Sequence, residues 1–141
     1  VSFQFKTQYS AKNIKFINEA LYNYRIDNPN SSVSAKGKVG AIINEFKEID
    51  NFLQDKKILP ETLSQLILHE LRAYIWNFMR ISKFYEHEFI ILSQKKLKEE
   101  DLKIFYKSRY IKLKEKIKMF LLVNYSAFFK YLLSIIKKYT K

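Results

Sequence analysis

The sequence predicts an all-α protein, a helical bundle of about five helices with two long core helices. Apolar residues make up 48% of the 141 residues, and they recur at intervals of three and four, which is the spacing of one helix face. The chain has only two Gly and two Pro, too few for the many tight turns of a small β-sandwich or barrel. We therefore expect one helical domain over residues 1–141.

Two helices are predicted in the N-terminal part. The apolar stripe that predicts a helix at about 10–27 consists of Ile14, Ile17, Leu21 and Tyr24. The segment Asn28-Pro29-Asn30 ends it. After a polar loop, a second stripe predicts a helix at about 35–55, and its members are Val39, Ile42, Ile43, Phe46, Ile49 and Phe52.

The remainder of the chain, 61–141, is predicted to hold the long core helices. Pro60-Glu61 begins the first, since proline in a first turn loses no hydrogen bond, and an unbroken apolar stripe extends it to about residue 94. The charged stretch from Lys95 to Asp101 is either a continuation or a short reversal, and Asp101 could cap the next helix, which ends near residue 122. Asn124-Tyr125-Ser126 predicts a junction before the last helix, because Asn and Ser favour caps.

Several classes of site are excluded by composition. With no Cys in the chain, disulfides, a thiolate zinc site and cysteine catalysis are excluded, and two Gly cannot form a glycine-rich phosphate loop. Residues 1–30 show no secretory signal, so we expect a location in the cytoplasm or on the cytosolic face of a membrane complex. Met119 to Ile136 has a single charge, Lys130. Because a central Lys costs about 2.5–3.5 kcal/mol in a bilayer, we expect a buried helix pair and no transmembrane span.

Charge is concentrated near the C-terminus. The chain has 26 Lys and Arg against 14 Asp and Glu, a net charge of +12. Residues 1–94 contribute 12 basic and 10 acidic side chains, whereas 95–141 contribute 14 and 4. A surface of this kind attracts polyanions, although lysines on a helix can also form a merely solvated face. Helical spacing places four lysines on one face of the last helix, namely Lys130, Lys137, Lys138 and Lys141.

Two sequence segments resemble the SPX domain, a helical phosphate-status sensor. The first is Glu70-Leu71 followed by the run from Arg80 to Glu88, which is similar to the basic, aliphatic and Phe-Tyr signature of that family. The second is the run from Asn124 to Leu132 with the later Lys137-Lys138-Tyr139-Thr140-Lys141. It resembles the Asn-aromatic-Ser/Thr-Gly-Phe-x-Lys segment of the family, with about one extra helical turn before the Lys pair.

The resemblance implies a non-enzymatic binding or sensor domain without metal or cofactor. Its ligands would be inositol polyphosphates, inositol pyrophosphates or polyphosphate. Residue by residue, the ligand-binding lysines would be Lys130, Lys137, Lys138 and Lys141. Tyr22 and Arg25 would stand for the N-terminal half of the anion site, although this segment lacks the lysine pair of the family.

Two other functions compete with this hypothesis. The mixture of basic and aromatic residues in 103–118 would also suit RNA, as in a structural subunit of a ribonucleoprotein or other larger assembly. Arg80 and His87 are seven residues apart and resemble the catalytic pair of HEPN-type ribonucleases, where His would transfer protons and Arg would stabilise the phosphorane. Neither His69 nor His87 has neighbours at metal-ligand spacing, and Trp76 is predicted to lie in the core.

Overall fold

The computed structural model describes residues 2–15 and 40–139, which form seven α-helices and no strand. The predicted all-α class is therefore confirmed. A 3-10 turn, Lys83–Tyr85, precedes the fourth helix. The helices are α1 (Ser2–Ser10), α2 (Ala41–Leu53), α3 (Pro60–Phe78), α4 (Glu86–Lys96), α5 (Glu99–Lys107), α6 (Leu113–Asn124) and α7 (Ser126–Tyr139).

One apolar core joins helices α2 to α7. Helix α4 lies at its centre and contacts α2, α3, α6 and α7. Helix α7 runs antiparallel to α4, because Glu86 at the start of α4 contacts Lys137 near the end of α7, while Gln94 near the end of α4 bonds to Val123 just before α7. The largest fully buried side chains include Phe46, Phe78, Phe89, Phe105 and Met119.

Helix α1 packs on α2 and was not predicted. The Ser2 amide donates to Glu45 Oε2 at 2.7 Å, and the rings of Tyr9 and Phe52 meet edge to face at 5.6 Å. Of the helix predicted at about 10–27, residues 11–15 are not helical, and the rest lies outside the described residues. The second predicted helix corresponds to α2, whose buried side chains recur every three or four residues.

The prediction of one continuous helix over 61–94 is wrong, because the chain leaves the helix at residues 79–85 between α3 and α4. Ser82 is extended, with φ −64° and ψ 144°. No Gly or Pro marks this break. A distant side chain bonds to the backbone at this break. Lys137 Nζ donates to the carbonyl oxygens of Phe78, at 3.1 Å, and Ile81, at 2.6 Å.

The remaining predicted boundaries agree with the structure in part. The helix is interrupted at Leu97 and Lys98, which are both extended, so the charged stretch is not a continuous helix, and Asp101 lies inside α5 instead of before it. The predicted helix to about residue 122 is divided by residues 108–112. The junction at Asn124-Tyr125-Ser126 is confirmed, since α6 ends at Asn124 and α7 begins at Ser126.

This junction divides the apolar run from Met119 to Ile136 between α6 and α7. Among the helices in 2–15 and 40–139, none has the length and apolar character needed to cross a membrane.

Candidate anion-binding surface

Lys137, one of the four predicted ligand lysines, is a structural residue in the interior. Only 11% of its side chain is exposed, and Nζ lies 2.9 Å from Glu86 Oε1. Glu86 is itself buried and also accepts a bond from Ser134 Oγ at 3.0 Å. Together with its bonds to the carbonyl groups after α3, this ion pair uses the Lys137 ammonium group within the fold. Lys137 is therefore poorly placed to bind an external phosphate.

Lys130 and Lys138 are differently placed. Lys138 is exposed and Lys130 is partly exposed, and neither forms an ion pair with any residue of 2–15 or 40–139. They are eight positions apart on α7, so they are separated by about 12 Å along the axis and by roughly 80° around it. Both could contact a polyanion, but they do not converge on one compact phosphate group.

The remaining predicted ligand residues, Lys141, Tyr22 and Arg25, lie outside the described residues. Of the predicted anion site, the structure thus places three lysines of α7. It directs one of them, Lys137, into the core and leaves the other two at the surface.

A second lysine of the basic C-terminal part is also internal. Lys96, with 6% of its side chain exposed, lies 2.6 Å from Glu70 Oε2 and 3.2 Å from Asp50 Oδ2. The Tyr74 hydroxyl donates to the other oxygen of Glu70. Burial raises the pKa of Glu70 above its ordinary value, against the opposing effect of Lys96, and burial also raises the pKa of the Tyr74 phenol. This cluster links α2, α3 and α4, and its Lys96 and Glu70 side chains are 6% and 3% exposed.

Most of the other basic side chains in 95–139 remain available to a partner. Lys103 and Lys118 pair with Glu99 and Glu115, and Lys116 donates to the Tyr106 carbonyl at 2.6 Å. The remaining ones form no ion pair within the described ranges, and we call them the unpaired basic residues. They are Lys95, Lys98, Lys107, Arg109, Lys112, Lys114, Lys130 and Lys138.

Two unpaired basic residues line a groove that the sequence did not indicate. The cavity, of about 460 Å³, lies between the start of α3 and the turn after α5. Lys107, Arg109 and Tyr110 line one side of it, and Glu61 lines the other. Ser108 in this turn contacts the fully buried Ser64 through their hydroxyl groups, at 3.1 Å. Periodicity could not find this groove, because it depends on the unpredicted break between α5 and α6.

The ribonuclease hypothesis loses its geometric basis. Arg80 follows the end of α3, whereas His87 lies in the first turn of α4, so the seven-residue spacing does not place them on one helix face. The Arg80 guanidinium stacks at 4.2 Å over the ring of Trp76. Trp76 is 53% exposed, and its predicted place in the core is wrong. His69 is exposed and lies beside Phe46, with 6.0 Å between ring centres.

No group of three or more His, Asp and Glu side chains suited to a metal ion occurs in the described part of the chain. Comparison of the sequence and the fold with models of protein families, with curated proteins and with solved structures finds no significant match. The resemblance to the SPX domain therefore stays a prediction.

Proposed function

We propose that this protein is a non-enzymatic binding domain for highly phosphorylated anions. The observation that supports the proposal is the set of unpaired basic residues in 95–139, where acidic side chains are few. Three of the four acids in this range, Glu99, Glu100 and Asp101, lie together in the first turn of α5, and the fourth, Glu115, is buried. Lysine and arginine ammonium and guanidinium groups bind phosphate oxygens through charge-assisted hydrogen bonds.

The distribution of these residues favours a long anion over a compact one. They extend from the end of α4 to the end of α7, and the two surface lysines of the predicted site do not converge. A polyphosphate chain can contact several separated lysines at once, whereas an inositol polyphosphate needs them around one pocket. Within the proposed ligand class, polyphosphate is therefore the first to test, and the groove beside Arg109 is the place where a compact inositol phosphate would fit.

Calorimetric titration with polyphosphate and with inositol hexakisphosphate, at physiological salt, tests the proposal. One variant, Lys130→Ala with Lys138→Ala, removes the predicted lysines, and a second, Lys107→Ala with Arg109→Ala, removes the basic side of the groove. The matched control is Lys47→Ala with Lys57→Ala, which removes two exposed charges from the nearly neutral part of the chain. We expect a loss of affinity of about tenfold or more in at least one test variant and little change in the control.

Equal affinity of all three variants would contradict the proposal. A competition experiment with long RNA separates the alternative function, because an RNA-binding subunit would release polyphosphate to RNA and ignore inositol hexakisphosphate. Since every polyanion site depends on salt, the competition and not the salt dependence decides between the ligands.

A further inference from the structure

The outer face of α6 and α7 is apolar, although most outer helix faces carry polar residues. On α6, Leu113, Ile117 and Phe120 share one side of the helix, opposite the buried Met119 and Leu122. Their side chains are 73%, 50% and 48% exposed. Because these residues are separated by four and three positions, they form a continuous stripe.

Helix α7 also has an exposed apolar side opposite its buried residues. Its buried residues are Phe129 and Leu133, and the opposite side presents Tyr131 and Ile135 to solvent. Tyr125, in the junction between the two helices, is 56% exposed, and its ring lies 5.7 Å from that of Phe120. Since Met119, Leu122, Phe129 and Leu133 belong to one core, the outer faces of both helices point away from that core. We call this surface the α6–α7 outer face, and its exposed members are Leu113, Ile117, Phe120, Tyr125, Phe128, Tyr131, Ile135 and Tyr139.

Unpaired lysines border this apolar surface. Lys114 lies three positions before Ile117, and Lys138 lies three and seven positions after Ile135 and Tyr131, so each borders the stripe of its own helix. The one acidic residue between 113 and 139, Glu115, is buried and paired with Lys118 at 3.2 Å. The surface therefore combines exposed apolar and aromatic side chains with positive charge, and α6 and α7 themselves contribute no exposed carboxylate to it.

We propose that the α6–α7 outer face binds to the surface of a membrane that contains anionic lipids. Helices that lie on a membrane bury an apolar face among the lipids while neighbouring lysines contact anionic headgroups. Tyrosine suits this interface because its ring is apolar and its hydroxyl stays hydrated. The helices lie on the surface and do not cross it, which agrees with their lengths of 12 and 14 residues.

Two features favour lipid over protein as the occupant. A second copy of this chain on the same face would bring together two surfaces that are both bordered by lysines, and like charges at an interface are unfavourable. Interfaces between proteins are also enriched in Arg and depleted in Lys, whereas every basic residue of α6 and α7 is Lys. Lysine stems extend readily along an apolar surface to place the ammonium among headgroups.

The inference goes beyond the proposed function, although the two share Lys114 and Lys138, and its test is chosen to separate them. The full chain is sedimented with vesicles of phosphatidylcholine alone and with vesicles of equal phosphatidylserine and phosphatidylcholine. We expect binding to the mixed vesicles and much weaker binding to the neutral ones. Absence of binding to the mixed vesicles, or equal binding to both, would overturn the inference.

Variants then locate the contact. The test variant combines Leu113→Gln, Ile117→Gln and Tyr131→Gln, and the matched control changes exposed apolar residues elsewhere, with Ile14→Gln, Leu59→Gln and Phe84→Gln. All six side chains are at least half exposed, so urea unfolding should confirm that both variants stay folded. We expect the test variant to lose vesicle affinity by about tenfold or more, and the control to keep it.

The same variants separate this inference from the proposed function. The test variant should bind polyphosphate as the unchanged protein does, because its lysines are intact. If vesicles bind and polyphosphate does not, the proposed function fails and the inference stands. If light scattering instead shows a dimer that the test variant abolishes, and no vesicle binding, the face is an interface between copies and the inference is wrong.

Discussion

At the scale of single residues, the two members of each of two adjacent lysine pairs differ in exposure. Lys95 is exposed while Lys96 is buried between two carboxylates, and Lys138 is exposed while Lys137 is buried beside Glu86. The sequence could not distinguish the members of a pair, because the carboxylate partners lie 26 and 51 residues away in the chain. Three of the predicted lysines lie on α7, but the ion pair of Lys137 depends on tertiary contacts that periodicity does not report.

The role of Lys137 leads to a prediction about stability. Lys137→Ala leaves the buried Glu86 without its cation and removes the donor to two carbonyl groups. Breaking one side of a buried ion pair costs about 3 kcal/mol or more in the free energy of unfolding. Lys138→Ala, at the exposed neighbour, should change it by less than about 0.5 kcal/mol.

Urea unfolding followed by circular dichroism measures both variants. Should Lys137→Ala fail to fold at all, Lys137→Met keeps most of the side-chain volume and permits the comparison. Similar unfolding midpoints for the variants at 137 and 138 would show that the ammonium group of Lys137 does not stabilise the interruption between α3 and α4.

At the scale of helices, periodicity predicted the buried faces of α2 and α3 but missed the boundaries at 79–85 and 108–112. The interruption at 79–85 has seven residues, close to two helical turns, so the apolar stripe before it and the stripe after it stay in phase. The pattern therefore imitates one long helix. By contrast, Asn124 and Ser126 carry a local signal of their own, and the junction between them could be predicted.

The docking of α1 on α2 should depend on pH. Hydrogen bonds from Ser2 lower the pKa of Glu45 from 4.5 to about 2. A carboxyl group with a lowered pKa in the folded state stabilises that state above its ordinary pKa, and the stabilisation is lost as the pH falls through the folded value. We therefore expect the contact between α1 and α2 to weaken between about pH 4.5 and pH 2.

Amide hydrogen exchange in α1, measured across this pH range, detects the loss of contact once the intrinsic pH dependence of exchange is removed. Glu45→Gln should abolish the pH dependence, since the amide does not titrate. Glu48→Gln is the control, because Glu48 is exposed and its 3.4 Å pair with Lys6 is at the surface. Unchanged pH dependence in the Glu45 variant would assign the effect to another carboxyl group.

At the scale of the whole molecule, the charge asymmetry that the sequence predicts is only partly a surface property. Lys96 and Lys137 are neutralised inside the fold, while the unpaired basic residues of 95–139 remain at least partly exposed without an ion-pair partner in the described ranges. Their mutual repulsion opposes folding to a small extent. Composition gives the sum of the charges, but it cannot show which charged side chains are paired inside the fold.

This repulsion predicts a dependence of stability on salt. Raising the NaCl concentration from 0.01 M to 0.1 M shortens the screening length from about 30 Å to about 10 Å. We expect the free energy of unfolding, measured with urea, to increase by a few tenths of a kcal/mol up to about 1 kcal/mol. The increase should be smaller in the Lys130→Ala, Lys138→Ala variant. A decrease with salt would show that surface attraction, and not repulsion, dominates the charge distribution.

The pairing of Lys137 with the region after α3 has a consequence for folding during synthesis. The ribosome produces Glu86 and the end of α3 well before Lys137, which follows 51 residues later, a delay of about 3–10 s at ordinary elongation rates. Throughout this interval the carbonyl groups of Phe78 and Ile81 and the Glu86 carboxylate lack their later donor. We therefore expect the corner between α3 and α4 to become fixed only when α7 has emerged and Lys137 can donate to it.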